Sequence, residues 1–256
     1  MIAAHHSMLA GGNPTAKTYR GIIADTWDGI ENAGYGVHNA SAIAWKDLVG
    51  GYDAAKAGSP TFSDNAGVTN GANNTFMATL PNSSRFIQAA KAGPVTVEVC
   101  LSTTLEWGSR CPFSILDSSG TSSTYRFLQV FMQTNQQYRA SPYTVNGTSF
   151  LGTTPAQTSP NGTFAFVFGE SGNSIFTIPY ANGVAGTPGT SISSSIYFMP
   201  STIDTLGVAN WFVRIGRAHN NNMTASYHRV TLHAGELSAA DLAYNAAVDK
   251  IRFGLT

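Results

Sequence analysis

Short segments rich in β-branched and aromatic residues recur along this chain, and glycine, asparagine, serine or proline bounds most of them. They occupy 21–27, 75–80, 95–102, 113–116, 125–132, 137–143, 163–169, 174–180, 211–216 and 227–233. Such segments are typical of antiparallel β-sandwiches rather than of βαβ units. Asn182 and Gly183, directly after one segment, are typical of a two-residue hairpin, because both tolerate positive φ. The pattern predicts an all-β, antiparallel, two-sheet sandwich.

The last part of the chain predicts one short helix. Ser238 precedes the helical pattern, and its hydroxyl can cap the first turn. Asp241 follows three residues later, where a negative charge suits the positive end of a helix. Leu242, Ala246 and Ile251 are spaced to lie against the edge of a sheet. We expect this helix to close the domain.

Motifs near both ends of the chain resemble one known family. They are Thr26-Trp-Asp-Gly29, Trp45-Lys-Asp-Leu48 and the succession of 206–216, 227–233 and 237–245. Between residues 22 and 254 the chain resembles a laminin-G-like module of the concanavalin A-like lectin/glucanase superfamily. The resemblance implies a jelly-roll sandwich that presents loops to glycans or proteins. It does not identify the ligand.

The charge composition excludes several kinds of partner. The 256 residues include 14 Lys and Arg and 14 Asp and Glu, so that only 11% are charged. Such a chain has no electrostatic footprint for nucleic acid or for an anionic membrane surface. No apolar run reaches the roughly 18 residues that membrane insertion needs. Cys100 and Cys111 are the only cysteines; reduced thiols are favoured, and a bridge between them is left open.

Residues 1–20 are rich in glycine, asparagine, proline and alanine and lack any strand or helix period. We predict an irregular arm over 1–20 and one laminin-G-like sandwich domain over 21–256. The arm is either a disordered tail or an anchor that becomes ordered on a partner. A chain that starts at Gly21 is expected to keep its thermal stability. His5 and His6 replace the basic start and apolar stretch of a secretory signal, which predicts synthesis in a cytoplasm.

The acidic residues argue against glycosidase activity. Glucanases of the superfamily that the chain resembles carry Glu-x-Asp-x-Glu on one strand face, which brings carboxylates to the separation of roughly 5 Å that a retaining mechanism needs. Glu98 is alone on its strand, and Glu106, Asp117 and Glu170 have no acidic neighbour two or four residues on. A solitary strand acid is typically solvent-facing or hydrogen-bonded. We predict that the chain is not an enzyme.

Two groups of residues suggest a metal. Asp25, Asp28 and Glu31 are close in sequence, and calcium takes six to eight oxygen ligands. Turn residues that bond their own backbone explain these acids as well, and we favour that interpretation. His228 and His233 are an odd number of positions apart in one strand, which predicts opposite faces and no shared metal. The sequence predicts no cofactor, and calcium is left open because no specific motif supports it.

The aromatic residues divide into packing residues and ligand contacts. Trp27 and Trp45 lie where the resemblance places the join of the terminal strands, and we interpret both as packing residues. Trp107 lies in a connection between strands, where an aromatic side chain is more often exposed. We place ligand contact on the inter-strand connections, at Trp107, Tyr138, Tyr143, Asn220, Asn221 and Asn222.

Segments 27–38 and 45–50 are also similar to parts of structural proteins encoded by bacteriophages of gut bacteria. The resemblance implies a non-catalytic virion structural protein, either a capsid-decorating, a tail or a fibre component, made in the host cytoplasm and displayed on the virion surface. The expected partners are other virion proteins, bound through the arm, and a glycan or the host cell surface. A homo-oligomer is expected. The alternative is a bacterial secreted or cell-surface carbohydrate-binding lectin module, which would be extracellular.

Overall fold

A computed structural model describes residues 18–34, 42–70, 74–104, 108–119, 123–145, 150–192, 197–218 and 221–255. The strands in chain order are β1 (Ile23–Asp28), β2 (Ala44–Trp45), β3 (Ala54–Ala57), β4 (Thr61–Ser63), β5 (Ala66–Thr69), β6 (Thr75–Pro81), β7 (Val95–Ser102), β8 (Arg110–Leu116), β9 (Tyr125–Met132), β10 (Tyr138–Val145), β11 (Gly162–Ser171), β12 (Ser174–Ala181), β13 (Val184–Ala185), β14 (Gly189–Ile192), β15 (Asn210–Ile215), β16 (Arg217–Ala218), β17 (Asn221–Asn222) and β18 (Ala225–His233). The α-helices are α1 (Gly29–Gly34), α2 (Arg85–Ala92) and α3 (Ala239–Phe253), and a 3₁₀ helix covers Pro200–Leu206.

Most of the described strands form two antiparallel sheets. Sheet A has the order β13-β12-β11-β7-β18-β5-β4, with β1 also paired to β18 and β14 also paired to β12. Sheet B has the order β10-β9-β8-β15-β6-β3-β2, and β16 and β17 form a separate pair. Strands that are far apart in the chain, such as β7 and β18, are neighbours in a sheet. This confirms the predicted all-β, antiparallel, two-sheet jelly-roll sandwich.

The main hydrophobic core lies between the two sheets, because successive side chains of a strand point to opposite faces. Val95, Val97 and Val99 of β7 enter this core. Trp27 and Trp45 are fully buried in the same core, which confirms their interpretation as packing residues.

Helix α3 covers the outer face of sheet A, the face turned away from sheet B. The Ser238 hydroxyl accepts the backbone N–H of Asp241 at 3.2 Å, and Gly254 ends the helix at a φ of 65°. Leu242 packs in a second, smaller core with residues of β11 and β12. The predicted helix start is confirmed. Ile251, which was expected to lie against the sheet, is 59% exposed.

A β-bulge in β18 changes which side chains share a face. The pairing of β18 with β7 shifts directly after Tyr227. Tyr227 and Val230 therefore both enter the main core although they are three positions apart. The ring of His228 stacks on Phe253 of α3 with centroids 5.1 Å apart, and His233 also lies on this outer face. The prediction that the two histidines face opposite sides is wrong.

Helix α2 was not expected from the sequence. It buries Phe86, Ile87 and Ala90 against the main core, and Lys91 lies in its last turn. Within the described ranges, no helix is both long enough and apolar enough to span a membrane.

The two cysteines lie in different sheets. Cys100 is in β7 and Cys111 in β8, and both are buried free thiols. Burial raises the pKa of both thiols well above the ordinary value. Thiols of this kind are inert packing groups, because the thiolate is the reactive form.

The fold begins before residue 21. Tyr19 is buried, and the backbone N–H of Arg20 donates to Oδ1 of Asn245 in α3 at 2.8 Å. The Arg20 guanidinium also lies 4.0 Å above the ring of Tyr244. The predicted boundary at residue 20 is therefore too late, because these side chains belong to the packed surface of α3. Residues 1–17 lie outside the described residues, and their anchoring role stays a prediction.

Candidate functional site

Two of the predicted ligand contacts belong to the core. The side chains of Tyr138 and Tyr143 in β10 are both fully buried. The Tyr138 hydroxyl donates to the backbone carbonyl of Pro160 at 2.8 Å. The ring of Tyr143 packs edge-on against Phe127 with centroids 5.1 Å apart. Neither ring reaches the surface, so the prediction of ligand contact is wrong for both residues.

Both tyrosines enter the core because β10 is irregular. Tyr143 has a φ of 49° and is skipped in the pairing of β10 with β9, which resumes with Thr144 opposite Arg126. The irregularity breaks the alternation of side chains and turns the Tyr143 ring inward. The sequence around Tyr143 contains no glycine that would have marked the positive φ.

Of the remaining predicted contacts, Asn221 and Asn222 lie among the described residues. Trp107 and Asn220 lie outside the described residues. Asn221 and Asn222 form β17, which pairs with β16. This hairpin lies on β8, where the carbonyl of Arg217 accepts a serine hydroxyl at 2.7 Å. A role of the asparagines in ligand binding stays a prediction.

A buried group of polar and charged side chains lies between α3 and the outer face of sheet A. We call it the ion cluster, and its members are Tyr19, Asp28, Glu98, Arg229, His233, Asn245, Asp249 and Arg252. Arg229 is its centre, because the guanidinium donates to Asp249 at 2.6 and 2.9 Å and to Glu98 at 3.1 Å. All three of these side chains are fully shielded from solvent.

Tyr19 joins the N-terminal segment to the ion cluster. Its hydroxyl donates to Asp249 at 2.5 Å and accepts from Arg252 at 3.0 Å. Its ring lies 4.0 Å from the guanidinium carbon of Arg229. Arg252 also pairs with Asp28 of β1. The ion cluster therefore connects residues before β1 with β1, β7, β18 and α3.

Burial and charge act in opposite directions on the carboxylates of the ion cluster. Burial alone would raise the pKa of Glu98, yet Arg229 and then His233 hold that pKa at about 2. For Asp28, burial prevails over the effect of Arg252 and raises the pKa. A solitary acid on a strand was expected to face solvent or to be hydrogen-bonded, and Glu98 is hydrogen-bonded. Because its charged groups are paired and shielded from solvent, the ion cluster links elements of the fold and presents no group at the surface to a ligand.

The acidic residues considered for calcium are separated in the structure. Asp28 and Glu31 both face Arg252. Asp25 instead hydrogen-bonds Asp47, and burial, followed by the charge of Asp47, raises its pKa to about 8. In the parts of the chain that the structure describes, no group of three or more His, Cys, Asp or Glu is placed to hold a metal ion.

An open groove of about 350 Å³ lies at one end of sheet B, where β8, β9 and β15 meet. We call it the rim groove, and it is lined by Asp117, Thr124, Tyr125, Leu206, Gly207, Val208, Ala209, Asn210 and Phe212. Small-molecule sites typically have volumes from about 300 Å³ upward. The lining combines aromatic, aliphatic, amide and carboxylate groups, which suits a ligand with both an apolar and a polar face.

Asp117 forms one wall of the rim groove. Its Oδ2 accepts the backbone N–H groups of Thr124 at 3.2 Å and of Tyr125 at 3.0 Å, which holds the connection between β8 and β9 together. Its Oδ1 is buried and has no hydrogen-bond partner among the described residues. A buried polar atom without a partner costs about 1–3 kcal/mol, so a donor that gained access to Oδ1 from the groove would be stabilising.

Asn82 holds the opposite wall. The 3₁₀ helix ends at Gly207, whose φ of 70° suits glycine. The Asn82 side chain donates to the carbonyl of Val208, and its backbone N–H donates to the carbonyl of Ala209 at 3.1 Å. The indole of Trp211 in turn donates to Oδ1 of Asn82 at 2.8 Å. These bonds fix the wall before any ligand binds.

Phe212 supplies the exposed aromatic surface of the rim groove. Its neighbours Trp211 and Val213 are in the main core, so that Phe212 points to the outer face of sheet B. Phe212 is half-buried and belongs to no hydrophobic cluster of the described residues. Tyr125 differs, because it packs against the core with its ring 5.8 Å from that of Phe198.

Two arginines lie near the rim groove without lining it. Arg214 is buried and donates to the carbonyl of Ser118. Burial, followed by the charge of Arg217, lowers its pKa to about 10. Burial also lowers the pKa of Arg126, against the effect of Asp117. The groove surface itself thus carries one carboxylate and no guanidinium among its lining residues.

A second cavity, of about 300 Å³, lies between α3 and β11. It is lined by Gly162, Thr163, Asn182, Ala243, Ala246, Ala247, Lys250 and Leu255. These lining residues include no aromatic ring, and most of them are too small for specific contacts. We therefore take the rim groove as the candidate site.

The rim groove has no signature in a single segment of the sequence. Its lining comes from 117–125 and 206–212, which meet because β8 pairs with β15. Phe212 was a usable signal, since an aromatic residue between two core positions of a strand must face outward. Asp117 has no acidic neighbour two or four residues on, and its position in the sequence gives no sign of a groove.

Two comparisons of the sequence with known proteins found no relative. No protein-family model matches the sequence. No curated protein gives a significant match.

Solved structures share the sandwich. The Trypanosoma rangeli sialidase in complex with 2-keto-3-deoxy-D-glycero-D-galacto-2,3-difluoro-nononic acid is 13% identical with a TM-score of 0.57, over 93% of this chain and 33% of that chain. The same sialidase in complex with sialic acid is 13% identical with a TM-score of 0.55, over 94% of this chain and 34% of that chain. The CBM40 of a Ruminococcus gnavus IT-sialidase is 15% identical with a TM-score of 0.48, over 71% of this chain and 96% of that chain. This chain spans about a third of the sialidase chains, and the likeness shows the fold alone.

Proposed function

We propose that the chain is a non-catalytic glycan-binding protein whose ligand occupies the rim groove. The proposal depends on one observation. The groove contains the half-buried ring of Phe212 together with Oδ1 of Asp117, which is buried and has no hydrogen-bond partner among the described residues. A sugar ring has a C–H face and a rim of hydroxyls. The Phe212 ring suits the first, and the carboxylate oxygen accepts from the second.

The acidic residues support a function without catalysis. Asp117 is the sole carboxylate among the residues that line the rim groove, whereas glycoside hydrolysis ordinarily needs a pair. Glu98 and Asp249 are buried and bound to Arg229. Laminarin, alginate, peptidoglycan and mixed β-glucans should release no reducing ends on incubation with the protein. Steady turnover that Asp117→Asn abolishes would contradict this part of the proposal.

The finer proposal is a structural protein of a bacteriophage virion, as a capsid-decorating, tail or fibre component. The similarity of segments 27–38 and 45–50 to phage-encoded structural proteins supports it. The sandwich would be displayed on the virion surface toward a glycan or the host cell, and residues 1–17 would attach it to other virion proteins. The alternative, a bacterial secreted or cell-surface lectin module, would use the same groove.

A glycan array with the purified protein tests the ligand class. The wild-type protein should bind a restricted set of glycans, and Phe212→Ala should lose most of that signal. Phe150→Ala is the matched control, because Phe150 is another partly exposed aromatic residue, at 36%, that does not line the rim groove. Binding that survives Phe212→Ala would place the ligand elsewhere and overturn the proposal for this groove.

Localisation separates the two biological settings. Antibodies against the chain should label purified phage particles in electron micrographs, and the particles should contain the protein by mass spectrometry. Labelling of bacterial envelopes or its recovery from culture medium, without labelled particles, would favour the secreted lectin module.

A further inference from the structure

We propose that the rim groove selects neutral glycans and rejects those with an acidic group at the bound sugar. This inference rests on the proposed function and names the class of ligand for the same site.

The charge of the groove lining is the first argument. Asp117 is the only charged side chain among the nine residues that line it. A carboxylate or sulfate on the bound sugar would lie close to the Asp117 carboxylate, and like charges at short distance in a partly desolvated site are strongly unfavourable.

Two positive charges, Arg126 and Arg214, interact with Asp117 but lie outside the groove lining. Arg214 is 1% exposed, and its guanidinium is engaged by the carbonyl of Ser118. Arg126 follows Tyr125 in β9 but is not part of the lining. The lining residues therefore offer an acidic ligand no guanidinium fork, which is the group that proteins commonly use for carboxylates.

The hydrogen-bonding state of Asp117 is the second argument. Oδ2 already accepts two backbone N–H groups, and Oδ1 accepts none from the described residues. The group that completes this carboxylate must be a donor. Sugar hydroxyls are donors, whereas a ligand carboxylate is an acceptor only. Asn210, exposed at the same groove, offers both a donor and an acceptor to neighbouring hydroxyls.

Asp117→Asn tests the proposal with little change to the fold. The asparagine oxygen can still accept from Thr124 and Tyr125, so the connection between β8 and β9 is retained. Its NH₂ then takes the place of Oδ1 and donates instead of accepting. The variant therefore changes the chemistry offered to a ligand and leaves the shape of the groove unchanged.

The experiment is calorimetric titration of the wild type, Asp117→Asn, Phe212→Ala and Phe150→Ala with two matched pairs of probes. The pairs are lactose with α2,3-sialyllactose, and galactotriose with trigalacturonic acid. The wild type should bind a neutral member at least about tenfold more tightly than its acidic partner, a difference of about 1.4 kcal/mol. Asp117→Asn should weaken the neutral probe by about tenfold and strengthen the acidic one, so that the preference narrows.

Sodium chloride provides an independent measurement. The Kd of the neutral probe should be the same within twofold at 50 and 500 mM salt, because a neutral ligand has no charge to screen.

The outcomes distinguish this inference from the proposed function. Tighter binding of an acidic probe that Phe212→Ala abolishes would overturn the selectivity for neutral glycans and leave glycan binding in the groove intact. Binding of the probes that Phe212→Ala leaves unchanged, or no binding of any probe and no hit on the array, would overturn both. Loss of binding in Phe150→Ala would also place the site outside the groove.

Discussion

Helix α3 covers the outer face of sheet A, whereas the outer face of sheet B ends in the open rim groove. Under α3, the charges of Glu98, Arg229 and Asp249 are paired and fully shielded from solvent. In the groove, one oxygen of Asp117 has no partner among the described residues, and Phe212 is half-buried. The paired charges thus lie inside the fold, whereas the lining of the candidate site includes one acid.

The largest expected effect tests the role of the ion cluster in stability. Arg229→Met leaves Glu98 and Asp249 buried without their cation, which should lower the free energy of unfolding by about 3–5 kcal/mol. Arg139→Met is the control. Arg139 of β10 is half-buried beside the ring of Phe150, and its replacement should cost less than about 1 kcal/mol. Urea unfolding of both variants measures the difference. Equal losses would remove the contrast between the two faces.

The next effect concerns the segment before β1. A chain that starts at Gly21 loses the buried ring and hydroxyl of Tyr19 and should be less stable by about 2–4 kcal/mol. This outcome replaces the expectation from sequence that such a chain keeps its stability. Tyr19→Ala in the full chain should reproduce most of the loss. A melting temperature unchanged by either alteration would show that Tyr19 contributes nothing to the fold.

The carboxyl pair of Asp25 and Asp47 predicts a loss of stability as the pH rises from about 4 to about 8. The folded-state pKa of Asp25, about 8, lies above the unfolded value of 3.8. The protonated form is favoured by the fold, so its contribution is complete below pH 4 and is lost as the pH rises through 8, at up to about 1.4 kcal/mol per pH unit.

Asp25→Asn keeps a donor toward Asp47 and removes the titration. The variant should match the wild type at pH 4 and become more stable than it by about 1–3 kcal/mol at pH 8. Denaturant midpoints at pH 4, 6 and 8 measure the effect. A constant difference between the two proteins across this range would exclude a titrating Asp25.

The smallest expected effect is the change in stability on replacing Phe212, on the outer face of sheet B. Phe212 lies outside the hydrophobic clusters of the described residues, so Phe212→Ala should change the free energy of unfolding by less than about 1 kcal/mol. Trp211→Ala, one position earlier and fully buried, should cost about 3–5 kcal/mol. A large loss in Phe212→Ala would mean that this ring is a packing residue and not a ligand contact.

The sequence predicted the fold well, because strand and helix signals are local. The segments 95–102 and 125–132 agree with β7 and β9 at both ends, and the Ser238 cap begins α3. Helix α2 carried a comparable signal, with Phe86, Ile87 and Ala90 on one face, and was overlooked.

The candidate site was not predicted, because it depends on irregularities and on pairing between distant strands. The bulge after Tyr227 and the positive φ of Tyr143 reverse the side-chain alternation expected of a regular strand. Asp117 and Phe212 meet only through the pairing of β8 with β15. Neither the irregularities of a strand nor the pairing of distant strands can be predicted from one short segment of the sequence.

The contacts of Tyr19 have a mechanical consequence. A pulling force that enters along the chain before residue 18 would reach the domain first at Tyr19 and Arg20, which are bound mainly by side chains to α3. These contacts would carry the load before it reached the ladder between β1 and β18. The segment would then extend by a few residues while both sheets, and with them the rim groove, kept their shape.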